Sequence, residues 1–176
     1  MEISELLGRL RQQFPEGVLA ESLESLDPWV EVRPDWLRQV CTFLRDDPEL
    51  RFQMLHCITA LDYLEVQPDR SFQAGSAGYL EVLYHLSSLV YRHRLVVKVR
   101  VSRWKEDQPG QLPEMPTVSD LWPTALWHER EVYDLSGIRF LGHPDLRRIL
   151  CPEDWQGHPL RKDYPMPRQY HGIPRE

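Results

Sequence analysis

The chain has 176 residues, of which 41% are hydrophobic and 27% charged, with a formal net charge of −6; this describes one water-facing globular domain rather than two. The deficit lies wholly in residues 1–127, with 19 acids against 13 bases, while residues 128–176 carry eight of each. An acidic body argues against nucleic acid and against adsorption on anionic lipid.

In chain order, Ile3, Leu6, Leu7, Leu10 and Phe14 fall at helical spacing until Pro15-Glu16-Gly17 stops them. Trp29 to Arg33 alternates as a short strand. Pro34 suits the first turn of a second helix, where its missing N–H costs nothing, and that helix places Leu37, Val40, Cys41 and Leu44 on one face. Arg51 to Leu64 is rich in β-formers and holds a strand, and Gln67 to Gly78 reads as a loop. Tyr79 to Leu86 alternates. Leu95, Val97, Val99 and Val101 then point one way while Lys98, Arg100 and Ser102 point the other, with Ser87 to Arg94 as the hairpin connection. Lys105 to Pro116 is a second loop, Ser119 caps a short turn, and Pro123 starts a helix through Leu135 that Gly137 terminates.

From Gly137 the periodicity dissolves. The last forty residues hold six prolines and four glycines, yet also Ile138, Phe140, Leu141, Leu146, Ile149, Leu150, Trp155, Leu160 and Tyr164. A linker has no use for so many large apolar side chains. Residues 1–136 therefore read as an α+β body, a two-layer arrangement of helices covering a mixed or antiparallel sheet. Residues 137–176 read as an extended, proline-rich C-terminal arm that orders on a partner, with a reach of roughly 130 Å if fully drawn out.

Little in the chain suggests chemistry of its own. Cys41, Cys57 and Cys151 are odd in number and widely spaced, which indicates neither a disulfide framework nor an iron–sulfur or zinc cluster, and Cys151 has no evident base beside it. His128-Glu129 opens like a zinc-protease motif, but position 132 is Val132. His128, His143 and His158 stand fifteen residues apart, a spacing that local structure does not bring together, and two of them sit in Gly-His-Pro turns. Gly75-Ser76-Ala77-Gly78 lacks the lysine and helix start of a phosphate loop. The acidic, amphipathic start MEISELLGRL resembles neither a secretory signal nor a transit peptide, and no apolar run is long enough to span a bilayer.

The charges near the arm are another matter. Arg130 and Asp134 are an i,i+4 pair, and Arg147-Arg148 and Arg161-Lys162-Asp163 lie in proline-framed segments where arginine suits bidentate pairing with carboxylates of another chain. The string from Glu129 to Pro165 closely resembles the signature of the 30-kDa subunit family of respiratory complex I, the C subunit of bacterial NADH-quinone oxidoreductase. The matching pieces are Glu129-Arg130-Glu131, Tyr133-Asp134, Gly137-Ile138, Gly142-His143-Pro144, Arg148-Ile149-Leu150, Asp154-Trp155, Gly157 and Pro159-Leu160-Arg161-Lys162-Asp163-Tyr164-Pro165. Ser136 departs from the aromatic that many relatives carry there.

The resemblance implies a peripheral subunit of the hydrophilic arm, on the cytoplasmic face of the bacterial inner membrane, with no cofactor or catalytic residue of its own. FMN and the iron–sulfur clusters would sit on other subunits of this proton-translocating NADH:quinone oxidoreductase. The arm would pack on the quinone-site large subunit and adjoining iron–sulfur subunits through Glu129, Arg130, Glu131, Asp134, His143, Arg147, Arg148, Trp155, Arg161, Lys162, Asp163 and Tyr164. Fusion with the neighbouring catalytic subunit is not expected. The runner-up is the equivalent subunit of a membrane-bound hydrogenase or an other-donor dehydrogenase. A stand-alone metalloenzyme and a nucleic-acid binder are the competing classes. Charge reversal at Arg148 or Arg161 is expected to impair incorporation more than folding.

Overall fold

The computed structural model describes residues 3–64 and 78–174. The expected loop from Gln67 to Gly78, with the rejected phosphate-loop candidate, falls almost wholly outside them.

Helix α1 (Ile3–Gln13) turns Leu6, Leu7 and Leu10 into the core. Strand β1 (Val18–Ser22) pairs antiparallel with β2 (Trp29–Val32). Arg33 is extended, and Pro34 opens a 3-10 turn that runs into α2 (Leu37–Asp46). The expected face of α2 is the buried one: Leu37, Val40, Cys41 and Leu44 have no exposed surface, each worth about 1.5–3 kcal/mol of apolar burial for the larger side chains. Strands β3 (Met54–Leu64), β4 (Gly78–Ser87) and β5 (Arg94–Ser102) follow as an antiparallel set. In the hairpin between β4 and β5, the Ser88 N–H donates to the His93 carbonyl at 3.0 Å.

The five strands lie in the order β1-β2-β5-β4-β3. The β2–β5 pair is parallel, with Trp29 opposite Val96 and Glu31 opposite Lys98, so the sheet is mixed. Its inner face carries Leu80, Val82, Tyr84 and Leu86 of β4 beside Leu95, Val97, Val99 and Val101 of β5, packed in one core with α1 and α2. The outer face is tied together by polar groups instead. Arg100 donates to Glu81 at 2.9 Å, and Lys98 stands 4.1 Å over the Trp29 ring.

Strand β1 escapes sequence reading because its burial does not alternate. The second expected loop contains β6 (Glu114–Pro116), which runs parallel to β7 (Arg139–Leu141) beyond the third helix. This small pair draws the start of the arm onto the body. Ile138 and Phe140 are 0% and 2% exposed and belong to the main core. A two-residue hairpin, β8 (Gln169–Tyr170) with β9 (Ile173–Pro174), closes the described chain.

Helix α3 (Ala125–Ser136) ends as expected at Gly137, which is left-handed at φ 71° and donates its N–H to the Tyr133 and Val132 carbonyls. A Cβ added there would stand 2.5 Å from Cδ2 of the His158 ring. Glycine is therefore required twice, for its backbone conformation and for the space the arm's histidine occupies. Gly137→Ala is expected to destabilise the chain by about 2–3 kcal/mol in urea unfolding, against about 1 kcal/mol for Gly172→Ala, whose φ is also positive but whose Cβ meets nothing within 4 Å.

Candidate functional site

The residues singled out between Glu129 and Tyr164 divide sharply. Seven of the twelve are used inside the chain, most of them as anchors that hold the arm to α3 and the sheet.

Asp134 is fully buried near the end of α3. Its Oδ2 accepts the N–H groups of Ile149, Leu150 and Cys151 at 3.0, 2.8 and 2.8 Å, and its Oδ1 accepts from Arg148 Nη1 at 2.6 Å. Three successive backbone N–H groups converging on one carboxylate make an anion nest, and the proline-framed turn of the arm supplies them. Burial alone would raise the Asp134 pKa. The Cys151 N–H, the Arg148 guanidinium and the Leu150 and Ile149 N–H groups outweigh it and hold the carboxyl at about 2. The other arm of Arg148 donates to the Gly157 carbonyl at 2.9 Å, so one guanidinium ties α3 to two stretches of the arm.

Arg161, 5% exposed, caps the same helix. Its Nε and Nη2 donate to the Ser136 and Gly137 carbonyls at 2.8 and 2.9 Å, where a cation complements the negative end of the helix dipole. Its guanidinium carbon lies 4.0 Å over the Trp104 ring. Burial and the nearby Arg103 pull its pKa down to about 10, so it remains a cation at neutral pH. Asp163 is held by Arg103 Nη2 at 2.6 Å, and Arg103 also grips Asp62 of β3 through two bonds of 2.9 Å. The Lys162 N–H donates to that same Asp62.

Sequence reading missed Arg103 and Asp62. The signal was a carboxylate in the inward register of β3, where Ile58, Ala60, Asp62 and Leu64 oppose inward positions of β4. A charge there requires a buried partner.

Glu129 also lies inside, with no exposed surface. Its carboxyl accepts from the Thr117 hydroxyl and from the Val118 N–H, the latter at 2.8 Å, so it locks the loop after β6 onto α3. Burial drives its pKa up to about 7 against these two hydrogen bonds. Arg130 donates to the Arg147 and Arg148 carbonyls and stacks over Trp127 at 5.2 Å. His143 accepts the Asp145 N–H at Nδ1, so Nε2 carries the proton and donates to the Leu126 carbonyl at 3.1 Å. Burial lowers the His143 pKa, in keeping with that neutral tautomer.

Of the remaining predicted residues, Glu131, Arg147 and Lys162 are exposed, whereas Trp155 and Tyr164 are half-buried. Among the described residues Arg147 pairs with the exposed Asp145. Trp155 packs on Tyr170 with ring centroids 5.1 Å apart, and the Tyr164 hydroxyl donates to the Gln156 carbonyl. Around them Leu141, Leu150, Leu160, Met166 and Ile173 are 45–70% exposed. The three evenly spaced histidines stay separate: His143 and His158 bond to different carbonyls. Among the described residues no group of three or more His, Cys, Asp or Glu is placed to hold a metal ion, and no helix is long and apolar enough to cross a membrane.

Residues 30–170 match the family model of the respiratory-chain NADH dehydrogenase 30-kDa subunit, and the chain belongs to that family. Among similar proteins, the C subunit of NADH-quinone oxidoreductase from Roseiflexus castenholzii is 45% identical over 92% of this chain and 83% of its own length. The protein of the same name from Chlorobium phaeobacteroides is 42% identical over 93% of this chain and 89% of its own. Among solved structures, a chain of an archaeal membrane-bound sulfane sulfur reductase superposes with a TM-score of 0.68, covering 94% of this chain and 87% of that one. At 23% identity it shows a shared fold.

Two outcomes follow from the anchors. Asp134→Asn leaves Arg148 unpaired and gives the nest an amide that cannot satisfy three N–H donors. A loss of about 3 kcal/mol in urea unfolding is expected, with faster protease cleavage between residues 147 and 164. The unfolded Glu129 carboxyl titrates near 4.5 and the folded one near 7, so the folded state holds the extra proton. Its contribution is complete below the unfolded value and is lost as pH rises through about 7. Relative to Glu129→Gln, the wild type is expected to lose up to about 3 kcal/mol between pH 5 and 8, read as the difference between their melting curves.

Proposed function

We propose that this chain is the cofactor-free structural subunit of a proton-translocating NADH:quinone oxidoreductase, held in the hydrophilic arm at the cytoplasmic face of the bacterial inner membrane. As a member of its family it is a subunit of a multi-subunit respiratory complex. Electrons pass from NADH through FMN and iron–sulfur clusters to quinone on the other subunits. The contribution of this chain is mechanical: electron tunnelling and quinone access both require those neighbours to stay at fixed separations.

One observation carries this reading. The buried Arg148–Asp134 ion pair and the Arg161 helix cap pin the arm, yet Leu150 and Leu160 next to these anchors are 62% and 60% exposed. An arm ordered at that cost with its large apolar side chains in water has a surface prepared for another protein. Leu150, Leu160, Trp155 and Met166 form its apolar part, with Glu131, Arg147 and Lys162 as its charged rim, and the occupants are the quinone-site large subunit and adjoining iron–sulfur subunits. Residues 137–176 thus act as a docking unit whose anchors belong to the body. This changes the expected outcome at Arg148 and Arg161: their reversal damages the chain's own order as well as its incorporation.

Leu150→Asp with Leu160→Asp separates the two. The isolated double variant is expected to melt within about 2 °C of wild type, because both side chains are already solvated. Its incorporation into the membrane complex, measured by quantitative mass spectrometry, is expected to fall about tenfold or more. Incorporation equal to wild type would remove this face from the docking surface. Co-purification with flavin- and NADH-binding subunits identifies the donor side; a nickel-iron large subunit in their place would mean the hydrogenase-type assembly.

A further inference from the structure

At the opposite end of β5 from the arm's anchors lies a second surface with its own chemistry. Among the described residues before Trp127, Arg9, Arg11, Arg33, Arg38, Arg45, Arg100 and Arg103 each face a carboxylate at 3.5 Å or less. Arg51, Arg92 and Arg94 have no carboxylate partner among the described residues, and all three are exposed. They are gathered at one place. The Tyr91 hydroxyl donates to the Pro48 carbonyl at 2.7 Å, His93 bonds the Leu50 carbonyl and its ring stacks on Phe52, so residues 48–52 are fastened to the β4–β5 hairpin. Arg92 and Arg94 also line a cavity with Leu26 and Asp27. Asp47 and Glu49, the nearest acids in sequence to Arg51, are engaged by Arg9.

Beside these cations the apolar tip of the β4–β5 hairpin and Leu26 of the β1–β2 connection are bare. Leu26 is 100% exposed, Leu89 67% and Val90 51%. The backbone adds an independent observation. Arg51 and Arg92 sit in the left-handed region at φ 48° and 56°, where glycine or asparagine is at ease and a long side chain is strained. Two unpaired arginines thus occupy positions that local stability would assign to other residues, in a body whose net charge is negative.

We propose that this end of the sheet is a second protein-docking surface, taking a segment of another subunit of the complex that carries an apolar residue flanked by carboxylates. Charge complementarity selects the occupant. The guanidinium fork suits bidentate pairing with carboxylates, and a short acidic segment covers three arginines and the Leu89–Val90 tip without bringing the acidic remainder of the body against a like charge. An anionic lipid surface would meet that remainder as well. The chain then bridges two neighbours along the length of β5, with the arm at one end and the arginine-ringed tip at the other.

A photo-crosslinking residue at Leu89, in the complex purified from its native membrane, tests the surface independently of the arm, since the subunit remains incorporated through the arm. The expected product is one polypeptide adduct whose crosslinked peptide carries acidic residues around an apolar one. Its yield is expected to fall about tenfold when Arg51→Glu, Arg92→Glu and Arg94→Glu are combined. Arg51→Gly with Arg92→Gly is expected to lower the yield likewise while keeping or raising the melting temperature of the isolated chain, which separates docking from folding. A lipid adduct, no polypeptide adduct in the assembled complex, or a yield unchanged by charge reversal would overturn the proposal.

Discussion

Asp134 is the group on which the rest of the arm depends. It is buried on the last turn of a helix, a place where a carboxylate meets the unfavourable end of the helix dipole. It is tolerable there only because three N–H groups and a guanidinium converge on it. Those donors come from residues 148–151, so the arm satisfies the helix as much as the helix holds the arm. Gly137 turns the chain away at once, Arg161 returns to cover the freed carbonyls, and His158 fills the space that glycine leaves. Each piece supplies what another lacks, which explains why so irregular a stretch has a single path.

The parts of the fold that follow a period were legible. Helix α2 buries the four residues its spacing selects, and β5 shows two faces because alternation is a local property of a strand with one wet side. The stop at Gly137 was legible for a similar reason, since the left-handed cap is a one-residue signal. Strands β1, β6 and β7 were not. They are short, and their pairing is set by what lies across from them rather than by their own pattern. Propensity does not report such tertiary pairings.

The site was legible as a string but not as a geometry. Composition marked the arm as charged and apolar at once, and the charges were assigned outward because nothing in one dimension shows Asp134 facing residues 148–151 or Asp163 facing Arg103. The structure shows how those charges are used internally, and so leaves the leucines as the outward feature. Glu129 is the sharpest case. It reads as an ordinary member of a charged helix, yet it is an interior hydrogen-bond acceptor whose ionisation burial opposes.

Asp62 and its partners also set an order in time. The carboxylate on β3 is bonded by Arg103 and by the Lys162 N–H, partners 41 and 100 residues further along the chain. Until residue 162 has been synthesised, β3 carries an inward-facing acid with one of its three donors missing, and the leucines of the arm lack their anchors. The exposed leucines of the arm therefore take their places last, once residues 161–163 have closed onto α3 and the sheet.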